Sequence, residues 1–270
     1  IDWFAELEKS GKDRKILTEA DRALAVVNRG TLHRARIAEC QAKAAVRLGK
    51  GKLLRNACWE AFTDDPSPAR LLDLRDAVPF VERYYFLRKA ATWVEEECKK
   101  PIPEEPFSES WNADIGLPSY PDLAVAMHAR LLAGDFAGAL RIGRRNDQYL
   151  HVPGDVIDFW LTAFIFVAAF GKGIAKLPAR LARVWNKALF DNIDYFSLIT
   201  LRLNRKFSKP RVEDAYAELL AFCSISREFI TLLPELLEWA LGTIRRRVVD
   251  TVSGNKAYDY RNAACWLAAG

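Results

Sequence analysis

Apolar residues in this chain recur every three or four positions, and strict alternation is scarce, so the predicted elements are helices. Ile37, Cys40, Ala44, Ala45 and Leu48 share one helical face before Gly49, a residue suited to ending a helix. Leu53, Leu54, Ala57, Cys58, Ala61 and Phe62 mark a second helix, stopped at Asp64-Asp65-Pro66 because proline cannot continue it. The stretch from Ala35 to Pro66 therefore reads as one helix–turn–helix unit. Pro121 to Asn146 reads the same way: Leu123, Ala126, Met127, Leu131 and Leu132, a turn at Gly134-Asp135, then Phe136, Ala139, Leu140 and Gly143. Small residues at Ala126, Ala139 and Gly143 are expected to let two hairpin helices approach closely.

Further helices are expected over 16–27, 68–77, 80–98, 155–170, 178–190, 195–206, 210–224, 226–250 and 256–268. Pro234 falls inside a periodic stretch and predicts a kink or a new helix start. Residues 99–120 carry Pro101, Pro103, Pro106 and Pro118 among acids and serines, the composition of a linker. Phe107 and Trp111 within it point to packing on the surface. The organisation expected is an N-terminal block over 1–98, a linker over 99–120, and a C-terminal block over 121–270 with a basic middle.

Leu48-Gly49 followed by Ala61, Asp65 and Pro66 resembles the second half of a tetratricopeptide repeat, as does Gly134-Asp135-Phe136 followed by Ala139. The helix–turn–helix unit has about the 34-residue period of that repeat. Ala38 and Ala45 stand where its first helix usually has large aromatics. The resemblance implies an all-α fold, an irregular TPR-like α-solenoid of antiparallel helical hairpins, and names no partner. A second resemblance rests on two places. One is Cys58-Trp59-Glu60-Ala61-Phe62 with Asp65-Pro66-Ser67 and Leu71-Leu72-Asp73-Leu74-Arg75. The other is Lys256-Ala257-Tyr258 with Ala263-Ala264 and Trp266-Leu267-Ala268. Together they resemble the helical region of uncharacterised bacterial proteins, some of which carry a SWIM-type zinc finger upstream. That family commonly has histidine before the two alanines, where this chain has Asn262, and the finger's Cys/Cys/Cys/His motif is absent from this sequence. No zinc or nucleic-acid role tied to the finger is carried over.

Composition agrees with helix: 50% hydrophobic and 28% charged residues, with only 14 glycines and 12 prolines, place the chain among globular proteins and away from disordered ones. The net charge of +5 says little until its location is considered. Between Phe136 and Arg211 there are 13 Lys and Arg against 5 Asp and Glu, so the positive charge sits mid-chain. Five scattered cysteines, Cys40, Cys58, Cys98, Cys223 and Cys265, without zinc-ligand spacing read as buried free thiols of a reducing, cytoplasmic setting. The apolar run from Phe159 to Phe170 is too short for a membrane span and reads as a buried core helix, and no targeting segment is visible. The chain begins at Ile1 without methionine, which is compatible with a fragment or a processed product.

Catalytic signatures are weak. His33, His128 and His151 lie far apart and outside any motif. Ser224 and Ser226 fit a helix junction, where serine caps, and no GxSxG elbow occurs. Asp155 and Asp158 would share a helix face, but Asp155 is more simply a helix-start residue. Asp64-Asp65, Glu95-Glu96-Glu97 and Glu104-Glu105 read as structural or solvated acids. Gly171-Lys172-Gly173 and Gly49-Lys50-Gly51-Lys52 do not fit a phosphate loop and read as turns. Most tryptophans, Trp59, Trp93, Trp160, Trp185, Trp239 and Trp266, fall within apolar stripes and read as core. Tyr84-Tyr85-Phe86, Tyr195 and Tyr258/Tyr260 are candidates for reaching a groove.

The basic groups have more functional pull: Arg141, Arg144 and Arg145; Lys176, Arg180 and Arg183; Arg202, Arg205, Lys206 and Lys209; and Arg245, Arg246 and Arg247. On a solenoid, successive hairpins can bring such residues to one surface, which could track a phosphate backbone. Solvated helix faces and helix C-termini also collect Arg and Lys. The function expected is a non-catalytic protein-binding scaffold with no cofactor, presenting a groove to a protein or peptide as part of a larger assembly. The alternative is nucleic-acid binding through the basic surface of 136–211. A third reading is a helical hydrolase using Asp155, Asp158 or His151.

Overall fold

The computed structural model describes residues 2–100, 122–146, 156–170, 177–191 and 211–253. Twelve helices and no strand occur among the described residues. They are α1 (Asp2–Lys9), α2 (Asp13–Val26), α3 (Leu32–Arg47), α4 (Gly51–Asp64), α5 (Pro68–Ala77), α6 (Phe80–Glu97), α7 (Leu123–Leu132), α8 (Phe136–Asn146), α9 (Val156–Phe170), α10 (Ala179–Asp191), α11 (Arg211–Cys223) and α12 (Arg227–Ser253). The chain is therefore all-α. The expected helices over 195–206 and 256–268, and almost all of the expected linker over 99–120, lie outside the described residues. By its contacts the chain forms two compact units, and the division falls inside α7, after Ala129.

Local chemistry sets most helix ends. Thr31 and Ser67 cap α3 and α5, their hydroxyls accepting from the Arg34 and Arg70 backbone N–H, and Pro68 occupies the first turn of α5, where its missing N–H costs nothing. Gly49 and Gly134 take φ of 66° and 69° at the ends of α3 and α7, a left-handed conformation cheap only for glycine. Asp135 caps α8 by accepting from the Gly138 N–H at 3.0 Å. Two elements differ from the sequence expectation. Helix α1 has no counterpart there; eight residues are marginal alone, and it is held by Phe4 and Leu7 packing with Ile16, Leu17, Ala20, Ile37 and Ala44. Pro234 does not start a new helix but lies inside the continuous α12. It is exposed and has no N–H to offer the Ile230 carbonyl.

In the first unit each helix packs chiefly on its chain neighbours, from α1 through α6. Helix α3 is central: Ala35, Ala38, Ala42 and Ala45 are fully buried. Alanine at these positions lets α2 and α4 close in on α3, the physical reason large aromatics are missing at Ala38 and Ala45. Buried charges tie the ends together. The Arg34 guanidinium donates to the Leu24 carbonyl, to the Val27 carbonyl at 3.1 Å and to Glu60 Oε2 at 2.9 Å, and its Nε lies 2.8 Å from Asp64 Oδ2. Asp64 Oδ1 accepts from the Gly30 N–H at 2.8 Å. Arg70 does the same one hairpin later: it pairs with Asp65, donates to the Asp65 carbonyl at 3.2 Å, and meets Glu39 at 2.6 Å.

The second unit is organised around α9, which packs against α8, α10, α11 and α12. Ile157, Trp160, Leu161, Ala163, Phe164, Ile165, Phe166 and Val167 are all buried, as its continuous apolar run predicts. Trp160, Trp185 and Tyr216 form one ring cluster, with centroids 5.0–5.9 Å apart; Phe136 and Phe229, at 4.9 Å, begin another. Gly143 provides a close approach, to α9 and α12: a methyl there would lie 2.7 Å from Trp239 Cζ2 and 2.9 Å from Leu161 Cδ2. Gly143→Ala is expected to cost about 1–3 kcal/mol by overpacking, read as a lower urea midpoint at unchanged m-value. No helix among the described residues is long and apolar enough to cross a membrane.

Candidate interaction surface

Helix α6 carries residues 80, 84, 87, 91 and 94 at the alternating four- and three-residue spacing of a single helical stripe. Its C-terminal part is core: Leu87, Ala91 and Val94 are at most 1% exposed. Its N-terminal part is not: Phe80 is 77% and Tyr84 49% exposed, and beside them Val81 is 85% and Tyr85 64% exposed. A core stripe thus runs on into solvent for its first turns. Apolar rings in water are costly, and a contiguous uncovered patch of them marks a contact surface more often than scattered single residues do.

Cations surround these rings. The Arg83 guanidinium lies over Phe80 at 5.4 Å and that of Arg88 over Tyr84 at 4.7 Å. The next row belongs to α4 and α6 jointly: Trp59 against Phe86, centroids 6.4 Å apart, and Phe62 against Trp93 at 6.0 Å. Lys89 stands over Trp59 at 4.3 Å and Arg55 over Phe86 at 5.3 Å. Arg55 also pairs with Glu82 at 2.6 Å. Sequence reading singled out Tyr84-Tyr85-Phe86 but not Phe80 and Val81. The signal for them was there: apolar residues occupy nearly every side of the first turns of α6, more than one buried face can use.

The basic residues fare unevenly. Lys176, Arg202, Arg205, Lys206 and Lys209 lie outside the described residues. Arg141, Arg144 and Arg145 are exposed on α8, Arg180 and Arg183 on α10, Arg245 and Arg246 on α12, and Arg247 is half-buried. Arg144 pairs with Glu235 of α12 at 2.7 Å, so the α8 and α12 groups sit on packed helices. Arg247 neutralises the buried Asp158 at 2.7 Å, a structural duty. Arg246 donates to the Thr243 hydroxyl at 3.0 Å.

Among the described residues the groups considered for catalysis sit on different elements. Asp158 is buried against Arg247; Asp155 and His151 lie outside the described residues. His128 is fully buried, and desolvation pushes its imidazole down to about 3, so it is neutral at pH 7. Ser226 caps α12, accepting from the Phe229 N–H at 3.3 Å, while the Ser224 hydroxyl donates to the Ala221 carbonyl at 2.7 Å. Cys40, Cys58, Cys98 and Cys223 are free thiols, with Cys58 and Cys223 buried and the other two half-buried; burial pushes the Cys223 thiol up to about 12. Among the described residues no three His, Cys, Asp or Glu side chains are placed to hold a metal ion. An open depression of about 450 Å³ adjoins the turn at the start of α4, lined by Lys50, Gly51, Lys52, Leu53 and Asn56. The α6 face places four exposed large apolar residues, Phe80, Val81, Tyr84 and Tyr85, within its first two turns. Comparison of the chain with protein-family models, with curated proteins and with solved structures finds no match.

Proposed function

We propose that the chain is a non-catalytic protein-binding scaffold whose docking surface is the uncovered face of α6. The observation that carries this reading is the stripe from Phe80 to Val94, buried at one end and bare at the other. Neighbour-to-neighbour packing from α1 to α6 supports a TPR-like helical array for the first unit, since repeat arrays bind through such exposed helix faces. The second unit, with α9 at its centre, packs as a bundle and supplies a more globular body. Phosphate-backbone binding is the alternative, supported by Arg145, Arg180, Arg183 and Arg245, which are exposed and make no ion pair among the described residues.

One experiment separates the two. The chain and its Phe80→Ala/Tyr84→Ala variant are used as bait at low salt, with half of each sample nuclease-treated. The scaffold reading expects a protein recovered in near-equal amount with and without nuclease, and lost with the variant. Recovery that vanishes with nuclease and ignores the variant would transfer the function to the basic residues.

A further inference from the structure

We propose that the outward face of α12 is a self-association surface, on which a second copy of this chain docks its own α12 in antiparallel register. This goes beyond the reading of α6 and rests on a different element. Helix α12 turns one side into the body of the second unit, where Phe229, Leu236, Trp239, Ala240 and Ile244 are buried. The opposite side is bare at every third or fourth position from Thr231 to Val252, a stretch of about 32 Å at the helical rise. Its large apolar members Leu241, Val249 and Val252 are exposed, with Ile230 beside them, so α12 carries a second apolar stripe that nothing covers. Gly242 lies midway along it, and a side chain there would meet nothing, so the backbone itself is open to close approach.

A second copy is selected because the face is complementary to itself when reversed. A two-fold axis through the point between Leu241 and Gly242 sets positions equally far from that point opposite each other. Leu241 then meets Gly242 of the second copy, large against small. Pro234 meets Val249 and Thr231 meets Val252, with no charge on either side. Glu238 meets Arg245, acid against base, and the symmetry makes this pair twice. Neither Glu238 nor Arg245 has a side-chain hydrogen bond or ion pair among the described residues. Two helical turns separate them, too far for the two to pair within the helix, so both are open to a partner. Parallel pairing would set Glu238 against Glu238 and Arg245 against Arg245, and like charges oppose it. A phosphate backbone would be drawn to Arg245 but repelled by Glu238 on the same face.

The test is the mass of the full chain in solution, by sedimentation equilibrium from about 1 to about 200 µM at about 0.1 M salt, where charge pairs still count. One helix pair sits at the low end of specific interfaces, so a reversible dimer with a dissociation constant on the order of 10 µM is expected. Glu238→Arg turns both charged contacts repulsive, as does Arg245→Glu, and each is expected to weaken the dimer about tenfold or more. Glu238→Arg/Arg245→Glu sets opposite charges face to face again and should restore it. Mixing the two single variants should give a dimer where neither forms one alone. Leu241→Lys, beside the axis, should abolish association. These three sites are exposed, and circular dichroism checks that each variant keeps its helices. Phe80→Ala/Tyr84→Ala should dimerise as the native chain does, so this surface and the α6 face stand or fall separately. A monomer throughout the range would overturn the proposal. So would a dimer indifferent to the charge reversals, or one that the double reversal fails to restore. A dimer kept in Glu238→Arg but lost in Phe80→Ala/Tyr84→Ala would overturn it by moving the contact to α6.

Discussion

Arg34→Ala is expected to lower the unfolding free energy by about 5 kcal/mol, the upper end of the cost of breaking a buried ion pair. The Arg34 side chain is 7% exposed and that of Asp64 3%. Removing the guanidinium leaves the Asp64 carboxylate in the core with the Gly30 N–H as its remaining hydrogen-bond partner. It also strips the donor from the Leu24 and Val27 carbonyls, orphans of the α2 C-terminus that need one. Asp64→Ala is expected to cost less, about 3 kcal/mol, because Glu60 still meets the guanidinium. Burial pushes the Asp64 carboxyl above its ordinary range, against the opposing pull of the Gly30 N–H and Arg34. Desolvation therefore outweighs the attraction, so a well-packed apolar pair should recover much of the loss. Arg34→Met/Asp64→Leu is expected to be clearly more stable than either alanine variant. Urea unfolding of the native chain, the two alanine variants and Arg34→Ala/Asp64→Ala gives the coupling energy, with Arg34→Met/Asp64→Leu measured beside them for the recovery. Additive losses, with no recovery in Arg34→Met/Asp64→Leu, would show that the two side chains act separately.

This staple marks where sequence reading stops. Helix ends at Gly49, Ser67-Pro68 and Gly134-Asp135 were legible because their causes are local: a left-handed glycine, a capping hydroxyl, an N-terminal proline. The buried run of α9 was legible because its apolarity is continuous. The pairing of Arg34 with Asp64 was not, since the partners lie thirty positions apart and either could equally be a solvated surface charge. A clue did exist. Thr31 and Arg34 recur as Ser67 and Arg70, a cap followed three residues later by an arginine that reaches back to the preceding helix end. The candidate surface was half legible for the same reason. That Tyr84 and Tyr85 share a helix with Phe80 follows from spacing, but which part of α6 stays bare depends on what the remainder of the fold covers. Gly143 was read as a close approach between the two helices of its own hairpin, but the atoms close to it are Leu161 on α9 and Trp239 on α12, set by tertiary packing, which periodicity does not encode. The basic residues show the opposite failure: charge alone did not distinguish Arg247, spent on Asp158 inside the fold, from Arg145 on the surface.

His128 should make the fold sensitive to acid. Its imidazole is fully buried, and desolvation pushes it from the ordinary 6.5 down to about 3. Between those values the unfolded chain binds a proton at this site and the folded chain does not, so stability rises with pH across the window and falls as pH drops through it. Above pH 6.5 the contribution is fully present. Below it the loss approaches about 1.4 kcal/mol per pH unit, accumulating to about 5 kcal/mol by pH 3. Glu39 and Asp64 act in the opposite sense. Burial raises both, so the folded chain takes up their protons first and gains stability as pH falls through their folded values. The raw pH profile is a sum of these terms, and His128→Gln isolates one of them. Unfolding free energies of the two proteins at pH 7, 6, 5 and 4 should converge below pH 6.5, the native chain losing its advantage by about 1.4 kcal/mol per unit. The variant pays for the lost packing equally at every pH, so only the changing difference reports the imidazole. A constant difference from pH 7 to 4 would mean that His128 takes up its proton as readily in the folded chain as in the unfolded one, and would overturn the acid sensitivity.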